Sequence, residues 1–198
     1  FILANGALSA DGTEGDIRRR MIERGLVEAI VILPRNLFYS TDISVTLWIL
    51  NANKKARVVS RNGKEIHYRD REKEILFMDM RQMGEPFEKK YVRFTDEDIR
   101  KVADTYHNWQ RERYAETYAD VPEFCKSVSI DEEGGIADKG FSLVPSKYID
   151  FANRDEAVDY DTRMKELQTE LAGILRQEAE SKEAVLDVFK SLGYEIKL

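Results

Sequence analysis

Apolar positions along this chain follow two periods, and the switches between them mark its elements. Phe1-Ile2-Leu3-Ala4 is an apolar run closed by Asn5-Gly6, with no initiator Met and no polar lead-in. It predicts a strand that begins inside a sheet, part of which lies upstream of the sequence. Asp11-Gly12-Thr13-Glu14-Gly15-Asp16 supplies a turn and cap, and Ile17, Met21 and Ile22 then recur at helical spacing until Gly25, predicting a helix over roughly 14–23. Residues 29–33 form a continuous apolar run stopped by Pro34, and 44–50 form another rich in β-branched and aromatic residues, both read as buried strands. Strand, helix, strand at these lengths is a βαβ unit, so the first two strands should be parallel.

Farther on, Glu74-Ile75-Leu76-Phe77-Met78-Asp79-Met80 is a short apolar strand reached through a polar stretch, 51–73, that reads as loop-like. Thr95 is a helix cap with Asp98 three positions later as its capping-box acid, and Ile99, Val102, Ala103 and Tyr106 carry that helix to about residue 114. Past Pro122, residues 128–130 and 141–149 flank Glu133-Gly134-Gly135 and read as loop-rich. From 161 the helical period returns: Met164, Leu167, Leu171, Ile174, Val185, Val188 and Leu192 keep one heptad register. Glu178 and Ser181 occupy two positions where apolar residues are due, a break that could divide the segment into two helices, and Gly193 reads as the stop. The resulting division is an α/β region over 1–94, a helix with loop-rich sequence over 95–160, and a helical region over 161–198.

Composition narrows the class. With 198 residues and 42% hydrophobic content the chain buries one modest core with room for a helical appendage. A single cysteine, Cys125, excludes an internal disulfide, and the apolar start is too short for a signal peptide or membrane span, so a cytoplasmic protein is expected. The net charge of -6 is unevenly spread: residues 1–94 carry 17 Lys/Arg against 13 Asp/Glu, and 95–198 carry 14 against 24. The first half is compatible with contact to a phosphate backbone and the acidic second half is not.

The segment Leu33-Pro34-Arg35-Asn36-Leu37-Phe38-Tyr39-Ser40-Thr41-Asp42-Ile43 resembles the modification (methyltransferase) subunit of type I restriction-modification enzymes. Ala4-Asn5-Gly6-Ala7-Leu8, Asp16-Ile17-Arg18-Arg19-Arg20, Lys73-Glu74-Ile75-Leu76-Phe77-Met78-Asp79 and Phe141-Ser142-Leu143-Val144-Pro145-Ser146-Lys147-Tyr148-Ile149 agree with it in order and spacing. Each motif is soft alone, and their joint order carries the resemblance over nearly the whole chain. It implies a partial Rossmann-like methyltransferase sheet, mixed, whose last strand inserts antiparallel between the two before it. Residues 44–50 should then lie between 1–4 and 29–33.

It also implies an S-adenosylmethionine-dependent adenine-N6 DNA methyltransferase as the parent, with a DNA specificity subunit, a restriction subunit and DNA as partners. The family's Gly-rich cofactor loop and Asn-Pro-Pro-aromatic tetrapeptide have no counterpart here, because the chain has neither Pro-Pro nor Gly-x-Gly. Both lie upstream of the matching segment in the family. No catalytic residue is therefore assigned, and this chain alone is expected to be inactive and to bind no S-adenosylmethionine.

Among single residues, Phe38 matches the family position whose ring packs against the flipped target adenine, and it is equally well read as core capping the Leu-Pro strand. Lys54, Lys55, Arg57, Arg61 and Lys64 are candidate DNA-phosphate contacts, against a solvated loop as the plainer reading. Arg18, Arg19, Arg20 and Arg24 form a basic stripe that offers phosphate contact, against the solvated outer face of a crossover helix as the favoured reading. Met164, Leu167, Leu171, Ile174, Val185, Val188 and Leu192 either fold back on their own domain or, as the resemblance implies, meet the specificity subunit. His67, His107 and Cys125 lack neighbours at metal-ligand spacing, so no metal site is expected. Asp70-Arg71-Glu72-Lys73 and Glu195-Ile196-Lys197 mimic a nuclease set, as a chain with 34% charged residues does by chance. The rival reading is a non-catalytic α/β interaction module.

Overall fold

The computed structural model describes residues 1–151 and 160–193. The chain divides into two compact units, Phe1–Ala152 and Asn153–Leu198.

In the first unit a five-stranded sheet has the order β1 (Ile2–Ala4), β3 (Val45–Leu50), β2 (Val27–Ile32), β6 (Glu74–Asp79), β9 (Cys125–Ser129). Strand β3 is antiparallel to both neighbours, with Leu47 opposite Ile2 on one side and Val31 on the other. Strands β1 and β2 are therefore parallel, as a βαβ unit joined by α1 (Gly12–Glu23) requires, and the third strand has entered between them. The sheet is the mixed α/β arrangement that the resemblance implied. Strand β6 adds parallel to β2, Ile30 facing Phe77, and β9 closes the far side antiparallel to β6.

Alternation along the central strands builds two cores. Ile30, Trp48, Ile75 and Phe77 point to one face, where Ile22 of α1 and the segment carrying Ile136, Leu143 and Tyr148 cover them. Ala29, Val31, Leu76 and Met78 point to the other, under Trp109 and Tyr106 of α2 (Asp96–Gln110). Being covered on both sides is why 29–33 reads as a continuous apolar run. Thr95 caps α2 by accepting from the Asp98 amide, while the Asp98 carboxylate accepts from the Thr95 amide. The helix stops at Gln110, short of the expected 114, and a separate turn of helix, α3 (Tyr114–Thr117), follows.

Three elements depart from the sequence reading. The polar stretch 51–73 contains the hairpin β4 (Arg57–Arg61) and β5 (Lys64–Tyr68), turned at Asn62 (φ 52°) and Gly63 (φ 72°). Two successive left-handed residues are what a tight hairpin needs to match strand twist. Residues 125–129, partly read as loop, are the edge strand β9, so the first unit extends past residue 94 to Ala152. Short β7 (Glu85–Phe87) and β8 (Tyr91–Arg93) form another hairpin.

Below the amino ends of β2 and β6 lies a buried ionic network. The ladder is irregular between Val27 and Ala29, and Glu28 at that point is 1% exposed. Its carboxylate accepts from Arg71 Nη2 (3.0 Å), Gln110 Nε2 (3.1 Å), Asn51 Nδ2 (2.7 Å) and the Tyr106 hydroxyl (3.0 Å). Next to it, Arg69 donates twice to Glu74, at 2.7 and 2.9 Å. Burial pushes the Glu28 and Glu74 carboxyls up, but the hydrogen bonds and arginine charges outweigh it and hold both below their usual value. Burial also depresses Lys54, to about 8, against the pull of Glu28 and Glu74.

A carboxyl held low when folded contributes stability that is present above its unfolded value, about 4.3 for glutamate, and is lost as pH falls through the folded one. Urea unfolding of the chain between pH 7 and pH 2 should therefore show stability falling below about pH 4, and Glu74→Gln should make that fall shallower. Parallel wild-type and variant profiles would remove Glu74 from the acid response.

In the second unit, α4 (Tyr160–Ser191) is one unbroken helix of 32 residues. Glu178 and Ser181 interrupt the apolar pattern without interrupting the backbone, because neither residue opposes helix strongly. Gly193 sits just past its end at φ 79°, its amide donating to the Lys190 carbonyl. The expected boundary at 160/161 adjoins, and Glu195-Ile196-Lys197 falls in, sequence outside the described residues.

Candidate nucleic-acid interface

Strands β1, β2 and β6 are mutually parallel, so their carboxyl ends lie along one edge of the sheet. In open α/β sheets ligands bind outside that edge. The segments leaving these strands meet there in an open cleft of about 700 Å³: Asn5 after β1, Pro34 to Asn36 after β2, and Arg81 to Gly84 after β6.

The β7–β8 hairpin forms the far wall. Its Val92 amide donates to the Asn36 carbonyl at 3.0 Å, and Tyr91 meets Tyr39 edge-to-face with ring centroids 4.6 Å apart. Gly84, at φ 94°, lets the strands close: a Cβ there would come within 2.6 Å of Val92 Cγ1 and 3.0 Å of the Arg93 carbonyl. Glu88 at φ 55° starts the hairpin tip that carries Lys89 and Lys90.

Cations dominate this cleft. Arg35, Arg81, Lys89 and Lys90 line it, with Glu88 the one carboxylate of the lining among the described residues. Arg81 is tied to the buried Asp79, its Nη2 at 2.6 Å, whereas Arg35 lies 4.0 Å from Asp42 with both side chains largely exposed. A pair of that kind is worth little.

Phe38 follows β2 on the same edge. It is half-buried and packs against the core face that includes Val31, Leu33, Val45 and Met80, with Thr41 opposite it across a tight turn. The basic residues singled out from the sequence lie elsewhere. They follow β3, which runs opposite to β2, so they lie at the other end of a sheet whose strands span roughly 20 Å.

Nor do the five form one surface. Lys54 is 1% exposed, and its amine donates to the Val27 carbonyl at 2.8 Å and the Glu74 carbonyl at 2.7 Å. An amine so placed does not reach phosphate, and Lys54 leaves the candidate set. Arg57 is half-buried over the Tyr68 ring and bonds the Asn53 carbonyl. Lys55, Arg61 and Lys64 are exposed. Arg18, expected on an outer face, is also buried: Nε donates to the Phe141 carbonyl and Nη1 to those of Ala7 and Ala10, stapling α1 to the chain around it.

The cleft residues were missed because three-residue strands are too short to show alternation. The available signals were Gly84, Pro86 and the Lys89-Lys90 pair, a breaker ahead of a short polar loop. The six heptad residues of α4 and Leu192 just past its end are all exposed, from 37% at Met164 to 65% at Leu192.

Among the described residues no helix is long and apolar enough to cross a membrane, and no three His, Cys, Asp or Glu side chains come together as a metal set.

Known proteins match this chain along most of its length. It is similar to the methylase subunit of the type I restriction enzyme HindI from Haemophilus influenzae, 36% identical over 197 residues, which are 98% of this chain and 40% of that protein. The MjaIX methylase subunit of Methanocaldococcus jannaschii is 29% identical over 98% of this chain and 32% of its own length. The chain thus spans less than half of these relatives. In fold it resembles the crystal structure of a type I methyltransferase subunit from Streptococcus thermophilus, with a TM-score of 0.57 and 24% identity over 75% of this chain and 26% of that one. The family described as N-6 DNA Methylase matches residues 1–157, and the chain, with its sheet and the cleft at its carboxyl edge, belongs to that family.

Proposed function

We propose that this chain is the C-terminal part of the modification subunit of a type I restriction-modification enzyme, whose whole protein transfers a methyl group from S-adenosylmethionine to adenine N6 in DNA. The observation that carries this reading is the family match over residues 1–157 together with the antiparallel strand β3 between β1 and β2. In this reading the chain supplies the carboxyl-edge wall near the target base, and catalysis and the methyl donor belong to sequence upstream. S-adenosylmethionine has a net positive charge, its sulfonium and ammonium against one carboxylate, and the four cations of the cleft favour a more anionic ligand.

Phe38 is proposed as a ring against which the extruded adenine stacks, being half-buried at the end of β2 on this edge. An enzyme that modifies a base must take it out of the duplex and hold it in a pocket. In the intact subunit, Phe38→Ala should lower methyl incorporation into DNA by an amount equivalent to about 1 to 3 kcal/mol. Unchanged turnover with a normal melting curve would make Phe38 a core residue only. A wild-type subunit, assembled with its partners, that incorporates no methyl groups would overturn the function itself.

The specificity and restriction subunits are the proposed partners, with α4 as the surface that meets the specificity subunit. The exposed apolar face of that helix supports this over an isolated catalytic domain.

A further inference from the structure

We propose that the β7–β8 hairpin is a phosphate clamp: the sugar–phosphate backbone of the DNA lies in the cleft at the carboxyl edge of the sheet, held by Lys89 and Lys90. This rests on the proposed DNA function and adds to it the surface on which the backbone lies. Three independent features point there. The cleft gathers the segments that follow all three parallel strands, the edge at which such sheets take their ligands. Its lining is cationic, and Lys89 makes no ion pair among the described residues, while Lys90 rests over the Tyr91 ring at 5.2 Å.

The hairpin is also held in place by the Val92–Asn36 hydrogen bond, the Tyr39–Tyr91 contact and the close approach at Gly84. The support of the two lysines is fixed, and phosphate contacts set register and orientation without reading sequence. The competing basic surface, Arg61 and Lys64 at the β4–β5 tip, lies at the opposite end of the sheet from Phe38.

Each lysine that neutralises a phosphate releases condensed counterions and adds about 0.9 to the slope of log K against log salt. The test uses the intact subunit assembled with its partners and a fluorescent duplex of arbitrary sequence, titrated between 50 and 300 mM salt, roughly the range over which such slopes are read. Lys89→Ala/Lys90→Ala should weaken binding and flatten the slope by about 2, while Arg61→Ala/Lys64→Ala leaves it unchanged. All four side chains are exposed, so matching melting curves would show that neither pair perturbs folding. An unchanged slope in Lys89→Ala/Lys90→Ala, or a loss confined to Arg61→Ala/Lys64→Ala, overturns the clamp. Methyl incorporation by the wild-type assembly is measured separately. If it fails while the lysine variant still flattens the slope, the clamp stands and the methyltransferase reading falls.

Discussion

Replacing Leu171 and Val185 with aspartate should abolish association with the proposed partner, the specificity subunit, and leave the melting temperature of the isolated chain almost unchanged. The two residues lie two heptads apart on one face of α4 and are 56% and 52% exposed. Each contributes roughly 1.5 to 3 kcal/mol when buried, so both together account for several orders of magnitude in affinity. Putting a carboxylate where a partner excludes water adds a desolvation penalty on top. Because both side chains are exposed on the helix of the second unit, the same substitutions should remove little packing within that unit. A pull-down from purified subunits reads the first half and a melting curve the second. If the double substitution unfolds the free chain, the face is internal core and the assignment to a partner fails.

Arg71→Leu should be the most damaging single substitution for folding. The Arg71 side chain is fully buried and paired with Glu28 at 3.0 Å, itself 1% exposed. Removing one partner of such a pair costs about 3 to 5 kcal/mol, because the remaining charge stays buried without its counter-ion. That is a large part of the roughly 5 to 15 kcal/mol that holds a domain of ordinary size together. Arg71→Leu/Glu28→Leu should recover much of the loss, since an apolar pair of similar volume is often neutral in such a position. Urea unfolding of the single and double variants measures both; a double variant as unstable as the single one would mean that Tyr106, Asn51 and Gln110 depend on the carboxylate itself.

The central sheet was legible because its strands obey simple rules. Residues 29–33 and 75–78 are apolar throughout because helices and loops cover both faces, and Thr95 with Asp98 is a capping box that needs no tertiary information. The position of β3 between β1 and β2 was legible only through resemblance, as no local pattern encodes which strand a third one joins.

The network under the sheet was hidden for the opposite reason. Glu28, Lys54 and Arg71 have the composition of surface residues, and their burial follows from contacts across 43 positions between Glu28 and Arg71. Thus Lys54 read as a phosphate ligand and Asp70-Arg71-Glu72-Lys73 as a chance charge cluster. The hairpin at Asn62-Gly63 was legible in principle, since an Asn-Gly pair between runs such as Arg57-Val58-Val59 and Ile66-His67-Tyr68 is a strong turn signal. High overall charge masked it. The Lys89-Lys90 hairpin offered only its breakers Gly84 and Pro86 as a signal, because strands of three residues carry too few positions to display a period.

The outer side of β1 has a consequence for handling the chain in solution. Among the described residues strand β1 pairs with β3 on one side only, and its Ile2 and Leu3 are 52% and 40% exposed. An unpaired backbone edge flanked by apolar side chains is a template for another copy of itself. Concentrated samples should therefore stick edge to edge, and a lysine at position 2 would discourage it, in the way natural sheets protect their borders.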